Sequence, residues 1–138
     1  MNVLVGAVAS VWFGMVAAIS FVEAPLRFRA PGVTLAIGLG IGRRVFAALN
    51  RIEVVLAAVV VPAAVLDAHP LALVVAGAVA VAALAAQLVA VRPFLTRRSD
   101  RVLAGETDGP RSHAHFVYVG LEVVKIGALA VLAVVALT

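Results

Sequence analysis

Hydrophobic and polar positions along this chain segregate at the scale of whole helices, not of single turns. Four long apolar runs are separated by shorter polar breaks. A helix needs ~20 mostly apolar residues to cross a bilayer core at its rise of ~1.5 Å per residue. The first run is about Val3–Val22, closed by Glu23 and Pro25. The second covers about 44–66 and ends before Asp67-Ala68-His69-Pro70. The third is about Leu71–Val91, stopped by Arg92-Pro93, and the fourth about His115–Leu137. Only a short turn separates the second and third, so those two helices form an antiparallel hairpin. The pattern predicts an all-α integral membrane four-helix bundle, a single domain over residues 1–138.

The segments between the spans carry structure of their own. Pro31-Gly32 followed by Val33–Gly42 reads as a helix start at Pro31. That helix either runs on into the second span or lies along the interface, and Gly38, Gly40 and Gly42 weigh against continuity. Arg97–Ala104 suits a short interfacial helix, and Glu106–Pro110 a turn-rich break. The first run reads as a retained helix. It lacks a basic leader, and Glu23-Ala24-Pro25 is a poor cleavage site for a signal peptide.

Composition supports lipid as the solvent. Hydrophobic residues make up 64% of the chain and the mean hydropathy is +1.17, against about 45–50% apolar in soluble domains. The net charge of +4 could suggest nucleic acid, but the basic residues are placed as a topology signal. Arg27, Arg29, Arg43 and Arg44 lie between spans one and two; Arg92, Arg97, Arg98, Arg101 and Arg111 lie between spans three and four. The Asp67–Pro70 turn and both terminal tails carry no Lys or Arg. The positive-inside rule then puts both arginine-rich loops in the cytoplasm and both termini outside, in a bacterial-type plasma (inner) membrane. The expected partners are the bilayer itself, not nucleic acid, and either a homo-oligomer or a larger membrane complex. Small residues, Ala76–Ala86 especially, permit the close helix contacts such an assembly needs. The absence of cysteine excludes disulfides, thiolate metal sites, iron–sulfur clusters and Cys nucleophiles.

Against this background, several polar residues fall inside spans. Ionisable groups there cost ~2.5–3.5 kcal/mol each on insertion scales, and persist where they pair or line a cavity. The second span contains Asn50, Arg51 and Glu53, the third Gln87, and the fourth Tyr118, Glu122 and Lys125. Measured from the outer helix ends, Glu53 and Lys125 lie ~18–20 Å deep, and Arg51 and Glu122 at ~22 Å. Equal depths suggest two interhelical ion pairs, Arg51 with Glu122 and Glu53 with Lys125, with Gln87 near their level. On the fourth span Arg111, His115, Tyr118, Glu122 and Lys125 share one helical face. On the second, Arg43, Phe46, Asn50, Glu53 and Ala57 form a matching stripe with Arg51 at its edge. A polar stripe in a membrane helix must face protein or water. Asn50, Arg51, Glu53, Gln87, Tyr118, Glu122 and Lys125 are therefore the candidate ligand-binding residues, and Glu23, Arg27 and Arg43 candidate gating or capping residues. The alternative is that these pairs only fix helix packing, since buried ion pairs often serve specificity more than stability.

Three functions fit. One is binding or transport of a small polar or lipid-headgroup ligand at the charged cluster in the cytoplasmic half. Another is a redox or proton-handling subunit, with quinone or haem near His115, Tyr118 and Glu122. The third is a non-catalytic accessory subunit docking through its arginine-rich loops. His115 is the best metal-ligand candidate, but no Asp, Glu or His set converges on it, and His113 at i, i+2 is not on its face. Trp12 and Phe13 are expected to pack or anchor the first span. No nucleophile–base arrangement is legible.

The segments Val11-Trp12-Phe13-Gly14 and Phe21-Val22-Glu23-Ala24-Pro25 resemble the first span of the DUF4149 / TMEM205-like membrane proteins. Phe46 with Asn50, and Arg111–Gly120 entering the fourth span, are similar to the same family. The resemblance spans the chain as a four-span layout with a long third loop, and implies a four-helix membrane protein without a defined chemistry. The Glu122–Lys125 pair has no counterpart in that pattern.

Overall fold

The computed structural model describes residues 2–105 and 113–138; within these, the side chains of residues 91, 94, 98, 99, 102 and 113–115 are outside the description. The described residues are helical throughout, apart from turns and connections. Helix α1 (Asn2–Val16) passes into a π-helical segment, Ala17–Glu23, and then α2 (Ala24–Arg27). Helix α3 (Leu35–Leu66) is followed by a tight turn and α4 (Leu71–Ala86). A second π-helical segment, Gln87–Val91, joins α4 to α5 (Arg92–Leu103), and α6 (His113–Leu137) closes the chain. Four stretches are long and apolar enough to cross a membrane: Asn2–Arg27, Leu35–Leu66, Leu71–Ala90 and Phe116–Leu137.

The four spans form a ring in chain order. Helix α1 packs on α3 and α6, and α4 packs on the same two helices from the other side. The interior of one half is apolar, with Val5, Ala9, Val60, Leu73, Leu129 and Leu132 all essentially inaccessible. The outer surface carries exposed Val, Leu and Ile side chains from every span, as a lipid-facing surface requires.

Three boundaries differ from the sequence expectation. Helix α3 begins at Leu35, capped by Thr34, whose hydroxyl accepts the Ile37 N–H at 3.2 Å. The start is thus Leu35 and not Pro31, and of the two alternatives the continuous one is found: one helix ~48 Å long at the helical rise, overhanging a ~30 Å hydrocarbon core. Its glycines are tolerated because two of them admit close neighbours. A Cβ on Gly38 would collide with the Phe28 ring, and one on Gly42 with the Arg27 guanidinium. The other two differences concern proline. Neither Pro25 nor Arg92-Pro93 ends its helix. Each proline follows a π-helical segment, whose wider turn accommodates the ring and the missing N–H that would otherwise break the helix. The Glu106–Pro110 break and Arg111 lie outside the described residues.

Candidate functional site

Beyond the apolar half, the interior turns polar within one layer. Lys125 of α6 is wholly buried. Its ammonium lies 2.6 Å from Glu53 Oε1, 2.6 Å from Glu122 Oε1 and 2.8 Å from Gln87 Oε1. An ammonium has three donors, and here each has an acceptor. The Gln87 amide in turn donates to Glu122 Oε1 at 2.6 Å and to the Tyr118 carbonyl at 3.3 Å. The Trp12 indole donates to Glu53 Oε1 at 2.9 Å, and the Ser20 hydroxyl to Glu122 Oε2 at 2.7 Å. All four spans thus supply members of one network. Charge-assisted hydrogen bonds contribute about 1.5–3 kcal/mol each, so three on Lys125 offset an insertion cost of ~2.5–3.5 kcal/mol.

The helices place these groups by simple periodicity. Tyr118, Glu122 and Lys125 follow at i, i+4 and i+7 on α6, one face of a helix. Asn50 and Glu53 are one turn apart on α3 and both buried. Ser20 lies in the first π-helical segment and Gln87 opens the second. A π turn shifts helix register, and such turns recur at functional sites. Buried polar atoms without a hydrogen-bond partner cluster here too: both side-chain polar atoms of Asn50, Oε2 of Glu53 and the Tyr118 hydroxyl. Such atoms are costly.

Glu122 is also the floor of a cavity of about 410 Å³. Beyond Val16 the first span has little backbone contact with α3 or α6, and the gap it leaves is this cavity. Its polar lining is Ser20, Arg27, Arg43, Arg92, Thr96, Tyr118 and Glu122; Phe21, Phe28, Leu39, Phe46, Leu95 and Val119 line the apolar part. Phe46 meets Tyr118 edge to face, with ring centroids 6.1 Å apart. Arg27 is held by two hydrogen bonds to Glu23 and one, at 3.3 Å, to the Gly38 carbonyl. Arg43 pairs with Asp100 at 2.6 Å, and Arg92 reaches the Arg43 carbonyl at 3.5 Å.

The structure brings together six of the seven candidate binding residues: Asn50, Glu53, Gln87, Tyr118, Glu122 and Lys125 are all buried in or beside the network. The seventh, Arg51, is not there. It is exposed on the outside of α3, and the expected Arg51–Glu122 pair does not form. Arg51 precedes Glu53 by two residues, about 200° around the helix, so it must face away when Glu53 faces in. Glu122 pairs instead with Lys125, one turn further along its own helix. The Glu53–Lys125 pair is present. Arg27 and Arg43 stand in the cavity wall and Glu23 anchors Arg27. The side chains of His113 and His115 lie outside the described residues, and among those described no group of three His, Asp or Glu gathers as a metal site. His69 closes the turn at the opposite end, its Nε2 2.9 Å from the Ala63 carbonyl.

Sequence reasoning missed Trp12, Ser20 and Arg92 as site residues. Trp12 reads as an apolar anchor until its N–H is seen to need a partner, which a buried indole generally finds. Ser20 is one of few hydroxyls in the first span, and Arg92 carries a topology signal that hides its second use.

A protein of this class, four membrane-suited helices around a buried ion-pair network and an adjoining cavity, is what the fold and site define. The chain matches no family model, no curated protein and no solved structure, so its function has to be read from its own residues.

Proposed function

We propose that this is an integral membrane protein that binds or transports a ligand with a small anionic headgroup, taken up in the cavity above Glu122. The cavity's composition carries the reading. Its volume of about 410 Å³ lies within the ~300–1,000 Å³ of small-molecule sites. Arg43, Arg92 and Thr96 offer donors to an anion, while Phe21, Phe28, Phe46 and Leu39 offer apolar surface to an attached chain. Guanidinium is the side chain best shaped for carboxylate or phosphate. The arginine-rich end faces the cytoplasm of a bacterial-type inner membrane by the positive-inside rule, so the ligand enters from that side or from the inner leaflet. The lipid headgroup is the source favoured here, because the cavity combines basic and aromatic walls.

The test is equilibrium binding of short-chain phosphatidic acid and short-chain phosphatidylcholine to the purified protein. Phosphatidic acid should bind at least about tenfold more tightly, a difference of about 1.4 kcal/mol. Arg92→Gln should erase that preference, and Ala24→Phe, which fills the cavity from the first span, should abolish binding. Equal affinity for the two lipids, or binding untouched by Ala24→Phe, would remove the proposal.

A further inference from the structure

The buried network has an odd charge count. It contains two carboxyl groups, Glu53 and Glu122, and one ammonium, Lys125, all at most 2% exposed. With every group ionised it would carry a net negative charge inside the bundle. Among the described residues, Lys125 is the cation paired with either carboxyl. Around Glu53, α1 brings Trp12 and α6 brings Lys125, Glu122 and Tyr118, while the α4 side brings Gln87 onto Lys125 and Glu122. The arginines Arg27, Arg43 and Arg92 line the cavity that Glu122 also lines, but the first two are paired with Glu23 and Asp100, and Arg92 donates to the Arg43 carbonyl rather than to Glu122.

The hydrogen bonds show where the excess falls. Glu122 accepts from Lys125 and Gln87 on Oε1 and from Ser20 on Oε2, the environment of an ionised carboxylate. Lys125 uses all three donors, as an ammonium does. Glu53 differs. Both of its donors, Trp12 and Lys125, converge on Oε1, and Oε2 is buried without a partner. A bare carboxylate oxygen in a dry interior is the costliest state open to it, whereas a neutral carboxyl escapes most of that penalty.

We infer that the network holds one exchangeable proton on Oε2 of Glu53, making the layer electrically neutral: Glu122 and Lys125 ionised, Glu53 a carboxylic acid. The inference goes beyond the ligand proposal and holds whatever the cavity binds. The geometry also provides a route for exchange. Lys125 can pass a proton to Glu122 and regain one from Glu53, whose two oxygens interchange by rotation of the carboxyl. The net result moves a proton from Glu53 to Glu122, leaves Lys125 an ammonium, and opens onto the cavity at the Glu122 floor. In the other direction the path meets the apolar packing of Val5, Leu73, Leu129 and Leu132. The site is therefore a proton store with access from the arginine-rich end.

Infrared spectroscopy of the protein in lipid at neutral pH tests this, by the carbonyl stretch of protonated carboxyl groups and its downshift in heavy water. The wild type should show one such group per chain, exchangeable with deuterium. Glu53→Gln should remove it. Glu122→Gln should remove it too, because Glu53 must then ionise to balance Lys125. Lys125→Met should double it, since both carboxyls become neutral. Glu23→Gln should leave it unchanged. Should Glu53→Gln fail to fold, the opposite responses to Glu122→Gln and Lys125→Met still decide the matter. No protonated carboxyl in the wild type, or a band that survives Glu53→Gln, would overturn the inference. So would a Lys125→Met protein with no gain.

Discussion

At the residue scale, Gln87 does work that no charged residue could do there. Its amide is both acceptor for Lys125 and double donor, to Glu122 and to the Tyr118 carbonyl. A leucine of similar size would strand a donor of Lys125 and take one of three donors from Glu122. Each stranded buried group costs about 1–3 kcal/mol. Gln87→Leu should therefore lower the unfolding free energy in detergent by about 2–5 kcal/mol, measured by denaturant titration against the wild type, while Gln87→Glu should not rescue it. A loss below about 0.5 kcal/mol, the range of neutral surface changes, would mean the amide is not in the network. The residue scale is also where the sequence was most and least informative. Polar side chains in a membrane helix are conspicuous, so Asn50, Glu53, Gln87, Tyr118, Glu122 and Lys125 stood out at once. Depth along a helix was legible from counting, and it brought Glu53 to Lys125. Depth also pairs Arg51 with Glu122, and placing Arg51 at the edge of the polar stripe understates its rotation away from Glu53. Two residues move a side chain about 200° around the axis, and that angle put Arg51 outside.

At the element scale, helix boundaries were set by things that local signals do not report. Proline reads as a stop, yet Pro25 and Pro93 are each preceded by a π-helical segment that lets the helix continue. Glycine reads as a break, yet Gly38 and Gly42 lie within a helix of 32 residues. Their use appears only when α2 and the turn after it are packed on α3, because Phe28 and Arg27 occupy the space a Cβ would fill. Gly40 has nothing near it. This contrast makes a paired prediction. Alanine is favoured over glycine in a helix by about 0.8–1 kcal/mol, so Gly40→Ala should raise stability in the same titration by up to that amount. Gly42→Ala should show no such gain, and should weaken phosphatidic acid binding by displacing Arg27 from the cavity wall. Equal gains from both would mean that the Arg27 contact does not hold α2 against α3.

At the scale of the whole molecule, the four-span layout was written in the apolar runs, because a bilayer imposes both length and composition on every crossing segment. The cavity was not written there. It arises where the first span, past Val16, keeps little backbone contact with α3 and α6 and meets them through side chains such as Ser20, Arg27 and Phe28, and no local pattern encodes that spacing. What remains is a bundle in two halves. One is packed with apolar side chains; the other holds the charge layer beneath an arginine-lined cavity. The layer depends on Trp12, Glu53 and Lys125, from the first, second and fourth spans, meeting at a single carboxyl oxygen. Trp12 is the chain's one tryptophan, so its fluorescence reports on that meeting without any label. In folded protein, Lys125→Met and Glu53→Gln should each shift the Trp12 emission relative to the wild type, although the first change lies three spans away in sequence. Emission unmoved by both substitutions would contradict a site shared by these helices.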